Sequence, residues 1–175
     1  MTPLDRLLQG NKRYVDAKTA PKSVSLSLLQ NLAEHGQHPF AIVVACSDSR
    51  VIPETIFDCG LGELFVIRVA GNVIGEDELA SIYYAYEHLH CHLIMVLGHT
   101  HCGAIAAALS HENETGVAPL VKKIHSAIGE ETNPDEASIC NARYGANIIQ
   151  AKLRIPESEC VAAIYDIETG LVKLV

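Results

Sequence analysis

Apolar residues recur at Leu4, Leu7, Leu8, Tyr14 and Val15 between polar ones. That spacing places them on one face of a helix over residues 4–15, and a second amphipathic pattern runs over 26–32. The pattern then changes. Phe40 to Ala45 (FAIVVA) is a continuous apolar run, rich in β-branched residues and preceded by Pro39, which predicts a strand covered on both faces. Two more such runs follow, Leu64 to Ala70 (LFVIRVA) and His92 to Leu97 (HLIMVL), and Asp77 to Leu89 between them has helical character with acidic residues near its start. This βαβ alternation predicts parallel strands.

A helix is expected from about Cys102 to Leu109, because GAIAAAL consists mostly of strong helix formers and follows a turn at Gly98-His99. Residues 110–135 are more polar, with breakers at Gly116, Pro119, Gly129 and Pro134, and are expected to hold one short helix over 120–128. A further helix is expected over 137–153. The chain closes with Cys160 to Ile167, then Glu168-Thr169-Gly170, then Leu171 to Val175, which reads as a hairpin at the edge of the sheet. The expected fold class is α/β: a single domain with a mainly parallel central sheet flanked by helices, closing in an edge hairpin. No linker divides residues 1–175.

Composition narrows the function classes. At 175 residues, folding buries about 70% of the unfolded chain's surface. With 49% hydrophobic and 19% charged residues, the chain is too apolar to be disordered. The formal net charge is −8 and the basic residues are scattered, so a nucleic-acid or anionic-membrane surface is not expected. No stretch has the roughly 18–20 apolar residues that span a bilayer, and Met1 to Gly10 lacks the order of a secretory signal, so a cytoplasmic location is expected. In that setting the six cysteines are read as reduced thiols, most of them small buried hydrophobes and a minority engaged in metal or redox chemistry.

In an open parallel sheet, ligands sit beyond the carboxyl ends of the strands. The first run ends in Cys46-Ser47-Asp48-Ser49-Arg50 and the third in Gly98-His99-Thr100-His101-Cys102-Gly103, so a thiol and an imidazole–thiol pair should converge at one edge. Cys46, His99 and Cys102 make three zinc ligands, and zinc with three protein ligands keeps a fourth position open for chemistry. Cys102 also begins a helix, where unpaired amides and the dipole favour thiolate. Either element alone is weak, since a cysteine ending a buried strand is usually a packed hydrophobe; their joint position carries the reading. Asp48 and Arg50 can form an ordinary surface ion pair, worth little, or a supporting dyad in which Arg50 holds Asp48 ionised and oriented beside the metal.

Another class of reading is a non-catalytic zinc or thiol module that staples the fold. His88-Leu89-His90-Cys91-His92 offers it a rival cluster, with His88 and His92 on one face if the helix extends that far. Gly60-Leu61-Gly62 precedes a strand instead of following one, no phosphate-binding Gly-Lys-Ser/Thr occurs, and the G-x-S-x-G elbow of acyl hydrolases is missing.

The segments Cys46-Ser47-Asp48-Ser49-Arg50, Gly62-Glu63-Leu64-Phe65-Val66-Ile67-Arg68, Ala70-Gly71-Asn72 and Gly98-His99 to Cys102-Gly103-Ala104 resemble, in order and spacing, the signature of the β-class carbonic anhydrases. The resemblance is dense over residues 37–105 and looser through the first helix and the closing hairpin. It implies a Zn2+ ion held by Cys46, His99 and Cys102, with Asp48 and Arg50 as the supporting dyad. The implied enzyme interconverts carbon dioxide and bicarbonate through attack of zinc-bound hydroxide; the near-neutral pKa of histidine suits His101 or another of the nine histidines to relay the proton, unless buffer serves instead. It places Gln37, Phe65, Ala70, Tyr84 and Gly103 around the substrate, some of them contributed by a second subunit. A homodimer or tetramer is implied, with residues 1–35 packing on the core or on the partner. Hydrolysis of carbonyl sulfide or carbon disulfide is the neighbouring reading, since relatives use the same metal cage; the Asp-Ser-Arg triplet leans toward the anhydrase. Val69 stands where many members carry Asn, and the region from about 110 to 160 is short relative to larger members.

Overall fold

A computed structural model describes residues 1–20, 22, 24–110 and 115–175; part of the polar stretch expected at 110–135, residues 111–114, lies outside the described residues. The chain runs α1 (Pro3–Val15), α2 (Leu26–His35), β1 (Ala41–Ala45), α3 (Pro53–Ile56), β2 (Leu64–Arg68), α4 (Glu76–His88), β3 (Ile94–His99), α5 (Gly103–Leu109), α6 (Ala118–Ile128), α7 (Pro134–Leu153), β4 (Cys160–Tyr165) and β5 (Val172–Leu174). A 3-10 turn at Ala70–Asn72 follows β2. The five strands form one sheet in the order β2-β1-β3-β4-β5; the first four are parallel and β5 pairs antiparallel with β4. Ala45 lies level with Arg68 on one side and Leu97 on the other, so the carboxyl ends of β1, β2 and β3 open onto one edge.

Alternation along β1 sorts the core into two faces. Ala41, Val43 and Ala45 pack with Leu7 of α1, Ile56 and Phe57 beside α3, and Met95 and Leu97 of β3. Ile42 and Val44 pack with Ile82 and Ala85 of α4 and with Ala142, Ala146 and Ile149 of α7. A third cluster gathers Cys46 and Cys102 with Ile105 and Ala108 of α5 and Ile124 and Ile128 of α6. Every residue of β1 and β3 is buried, as their unbroken apolar runs require.

Several details depart from the pattern-based expectation. Gly98 and His99 are not a turn: they complete β3, which is displaced two residues from the expected 92–97. The glycine is there for close approach, since a Cβ at position 98 would lie 2.8 Å from Ile164 and 3.3 Å from the carbonyl of Ser138. Helix α7 starts three residues earlier than expected, because Asn133 accepts hydrogen bonds from the amides of Asp135 and Glu136 and Pro134 fits the first turn. Helix α3 and the 3-10 turn have no counterpart in the apolar pattern. Their spans of 4 and 3 residues are too short to carry a periodic signal.

The two amino-terminal helices behave differently. Helix α1 is seated on the core: Gly10 lies against the Phe57 carbonyl, and buried Asn11 donates to Ile56 and Gly170 while accepting from the amide of Val172. Helix α2 has no buried residue, and Leu26 and Leu29 are exposed. Among the described residues, no helix is long and apolar enough to cross a membrane.

Candidate metal centre

Three elements bring the ligands together. Cys46 leaves the end of β1, His99 is the last residue of β3, and Cys102 caps the start of α5. Their ligand atoms all lie within 4.8 Å of one another and all three side chains are buried; among the described residues this is the one group of three or more such side chains placed to hold a metal ion. The rival His88–His92 cluster does not assemble. Helix α4 ends at His88, Cys91 is buried, and the His92 ring turns edge-on to Tyr86 at 4.7 Å.

The donor chemistry of the three residues fits zinc. His99 is 1% exposed. Its Nδ1–H donates to the carbonyl of Thr100 at 2.8 Å, which assigns the tautomer and leaves a lone pair on Nε2. That Nε2 is buried without a hydrogen-bond partner, a costly arrangement unless a cation meets it. The thiols reinforce the point. A hydrogen bond from the Cys102 thiol holds Cys46 well below the ordinary thiol range, helped by the backbone amides of Asp48 and Gly71; the Gly71 N–H lies 3.2 Å from Cys46 Sγ. The same hydrogen bond, with burial, pushes Cys102 upward against the pull of the Ile105 and Ala104 amides. Cys46 and Cys102 thus share one proton, and a dication in its place would hold both sulfurs as thiolates and meet the bare imidazole nitrogen. Thiolate and imidazole donors favour zinc over magnesium or calcium.

The other cysteines are ordinary. All six are free thiols, and burial pushes Cys59 and Cys160 up to about 12 and Cys91 up to about 11, so these three are inert.

Asp48 is gripped by Arg50 in a two-point fork. Nε donates to Oδ1 at 3.0 Å and Nη2 to Oδ2 at 2.7 Å, while the Arg50 amide adds a third bond to Oδ1 at 2.9 Å. The Asp48 side chain is only 17% exposed, and Arg50 holds its carboxyl far below the usual carboxylate range. Arg50 Nη2 also donates to the carbonyl of His101, a residue at φ 56°, so the dyad ties the first loop to the turn that carries His99 and Cys102. A further residue, to which the sequence motifs assign no role, completes the frame. Arg68, ending β2, donates to the carbonyl of Cys46 at 3.2 Å and to that of Asp48 at 2.7 Å. Its one signal in the sequence is an arginine inside the apolar run LFVIRVA.

The expected substrate-pocket residues divide. Gly103 and Ala70 lie beside the cluster, directly after Cys102 and directly before Gly71, and a Cβ on Gly103 would meet nothing within 4 Å. Gln37 sits before β1, at the sheet end opposite Cys46, among Leu32, Cys59 and Leu64. Phe65 and Tyr84 meet each other, with ring centres 6.3 Å apart, on edge strand β2 and the exposed side of α4. A single chain therefore does not gather all five.

The family model for carbonic anhydrase matches residues 41–163, which include Cys46, His99, Cys102, Asp48 and Arg50. The chain belongs to the β-carbonic anhydrase family. Carbonic anhydrase 2 of Mycobacterium tuberculosis is 47% identical over 108 residues, covering 62% of this chain and 52% of that protein. A Pseudomonas aeruginosa carbonic anhydrase is 33% identical over 167 residues, covering 82% of this chain and 76% of that one. The crystal structure of a β-carbonic anhydrase from Aspergillus fumigatus superposes with a TM-score of 0.74 at 28% identity, over 85% of this chain and 80% of the other. This β-carbonic anhydrase chain spans about half the length of the mycobacterial relatives it matches.

Proposed function

We propose that this chain catalyses the reversible hydration of carbon dioxide, CO2 + H2O giving bicarbonate and a proton, at a zinc ion held by Cys46, His99 and Cys102. The observation that carries the reading is the buried ligand triad with its unpartnered His99 Nε2, flanked by an Asp48 carboxylate that Arg50 holds in place. Zinc, when bound, supplies Lewis acidity and a water of lowered pKa.

The chain's own residues set the rest. Asp48 stays ionised throughout the neutral range because Arg50 depresses its pKa, so it accepts hydrogen bonds and does not take up the proton of the reaction. With each oxygen already accepting from Arg50, Asp48 has lone pairs left for one donor beside the metal, which orients the attacking group. The absence of any atom within 4 Å of a Cβ on Gly103 supports approach of a small substrate beside Cys102. His101, exposed on the turn between the ligands with Nε2 3.1 Å from Glu168 Oε1, is positioned to pass the released proton outward.

A second copy of the chain supplies Gln37, Phe65 and Tyr84 to this pocket. The supporting observations are their distance from the cluster in one chain, the open edge of β2, and the exposed leucines of α2.

Stopped-flow CO2 hydration on metal-quantified protein, at mildly alkaline pH and beside Cys46→Ala, tests the reading. Fast turnover with about one zinc per chain, both lost in the variant, is the expected result. Stoichiometric zinc without turnover overturns it, and carbonyl sulfide is then the substrate to try.

A further inference from the structure

Gly71 donates its N–H to Cys46 Sγ at 3.2 Å, and it does so from a left-handed backbone. Its φ is 65° and that of Asn72 after it is 43°, so two successive residues lie in the region that few side chains tolerate. Nor is there room for a side chain at position 71, where a Cβ would lie 3.1 Å from Ala104 Cβ and 3.1 Å from Ile124 Cδ1. Glycine meets both demands. It is also the residue with the least preference of its own for any one conformation, so the direction of its N–H must be set by the groups around it.

Within the turn, the Asn72 amide donates to the Val69 carbonyl at 2.9 Å, which closes the backbone around Gly71 without reaching its carbonyl. Asn141 of α7 takes that carbonyl. Its Nδ2 donates to the Gly71 oxygen at 2.8 Å, and the residue is 4% exposed. It stands on the buried face of α7 beside Ala137, Ser138, Ala142 and Gly145, the one side-chain amide among the buried residues of that helix. Below it, Ala142, Ala146 and Ile149 pack against the sheet, so the donor sits on a rigid support. Gly71 is thus gripped at both ends, its carbonyl by Asn141 and its N–H by the sulfur.

We propose that Asn141 is a positioning residue for the metal centre: by holding the Gly71 carbonyl it keeps the Gly71 N–H on Cys46 Sγ, and so fixes the direction in which that sulfur meets a cation. An N–H donated to a thiolate occupies one of its lone pairs and draws off part of its charge, which leaves a defined direction for the metal bond. Arg50 and Arg68 brace the loop that carries Cys46, whereas Asn141 acts on the sulfur through one peptide unit. Without the Asn141 amide, Gly71 is free to leave the left-handed region and its N–H leaves the sulfur. The inference rests on the ligand triad and not on the reaction proposed for it.

The test uses the full chain, labelled with 15N and loaded with 113Cd2+. In the wild type, the Gly71 amide proton should show scalar coupling to the metal across its hydrogen bond to Cys46. Asn141→Leu keeps the branching of the side chain but cannot donate. It should abolish that coupling and raise the zinc Kd, read by chelator competition, about tenfold, the lower end of the 10- to 100-fold typical for loss of a group that orients a ligand. Asn141→Ala, which cannot overpack, should give the same two changes and carries the test if the leucine variant does not fold. Gly10→Ala, which strains the seating of α1 on Phe57, should lower stability and move neither readout, so positioning is told apart from a general structural role. Coupling of wild-type size in a folded Asn141 variant overturns the inference, as does an unchanged zinc Kd or a wild-type Gly71 amide without coupling. A wild-type chain that takes up no Cd2+ overturns the ligand triad and this inference with it. Neither readout depends on turnover, so failure of CO2 hydration alone is a separate outcome.

Discussion

Arg68 donates through Nη2 to the backbone carbonyl of Asp48 at 2.7 Å, and through Nε to that of Cys46 two residues earlier. One side chain from β2 thus fixes the loop that carries Cys46, a candidate metal ligand, and Asp48. Each such bond from a charged donor contributes about 1.5–3 kcal/mol. Arg68→Ala should therefore lower kcat for CO2 hydration by at least about tenfold, since 1.4 kcal/mol is a factor of ten. Zinc content should stay close to wild type, because no ligand is removed. Stopped-flow rates set against metal analysis check the split, and unchanged kcat would dismiss the bracing role.

Arg50 is the counterpart on the side-chain end of the same aspartate. Truncating it in Arg50→Ala removes both side-chain bonds to the carboxylate, leaving the backbone amide of residue 50 on Oδ1, and releases the His101 carbonyl. Loss of such an outer partner typically reduces metal affinity or activity about 10- to 100-fold. The expected result is a fall of that size in kcat/KM. Arg50→Lys should recover little of it, because one ammonium cannot reproduce the two-point fork.

Removal of the metal should destabilise the fold. A ligand that binds only the native state adds about 2.7 kcal/mol when its free concentration is 100 times Kd. Chelation should thus lower Tm by several degrees, with His99→Ala showing the lower value before any chelator is added. A Tm indifferent to chelator would mean that the triad does not hold metal in solution.

Away from the centre, Asp58 provides the pH test. Burial alone would raise its pKa, but hydrogen bonds from Arg13 at 2.5 Å and Lys22 at 3.1 Å outweigh burial and hold it below the ordinary value. A depressed native pKa contributes stability that is fully present above the unfolded value of about 3.9 and is lost as pH falls through the native one. Asp58→Asn, which tolerates the positive φ of 50°, should cost about 1–3 kcal/mol at neutral pH. Urea midpoints of the two proteins should converge as pH drops below about 4, and a constant gap would contradict the assignment.

Gly10 tests the seating of α1. Alanine is the better helix former by about 1 kcal/mol, yet its Cβ would stand 1.9 Å from the Phe57 carbonyl oxygen, a backbone atom with little room to yield. Overpacking costs about 1–3 kcal/mol, so the clash outweighs the propensity gain and Gly10→Ala should lower the urea midpoint.

The sequence discloses some parts of this molecule more readily than others, for physical reasons. Strands β1 and β3 are buried on both faces, so Ala41 to Ala45 and Ile94 to Leu97 show as unbroken apolar runs. Strand ends that open onto one edge then bring Cys46, His99 and Cys102 together, a convergence that follows from the order of the runs alone. Gly98 misleads because a glycine required by close packing against Ile164 looks the same in sequence as one required by a turn. Arg68 acts through partners 20 or more residues away, and no local pattern encodes it. The α1 side chain of Asn11, bonded to Gly170 and Val172 at the far end of the chain, is a similar case.

The triad draws on chain positions 46 and 99, so a bound cation would clip shut a loop of 53 residues. Closing a long loop restricts the unfolded chain much as a disulfide does, in a form that can be undone by losing one ion. Without that ion the chain should open more often at the carboxyl edge of its sheet and meet proteases sooner, so that metal occupancy would set how long each molecule survives as well as how many are active.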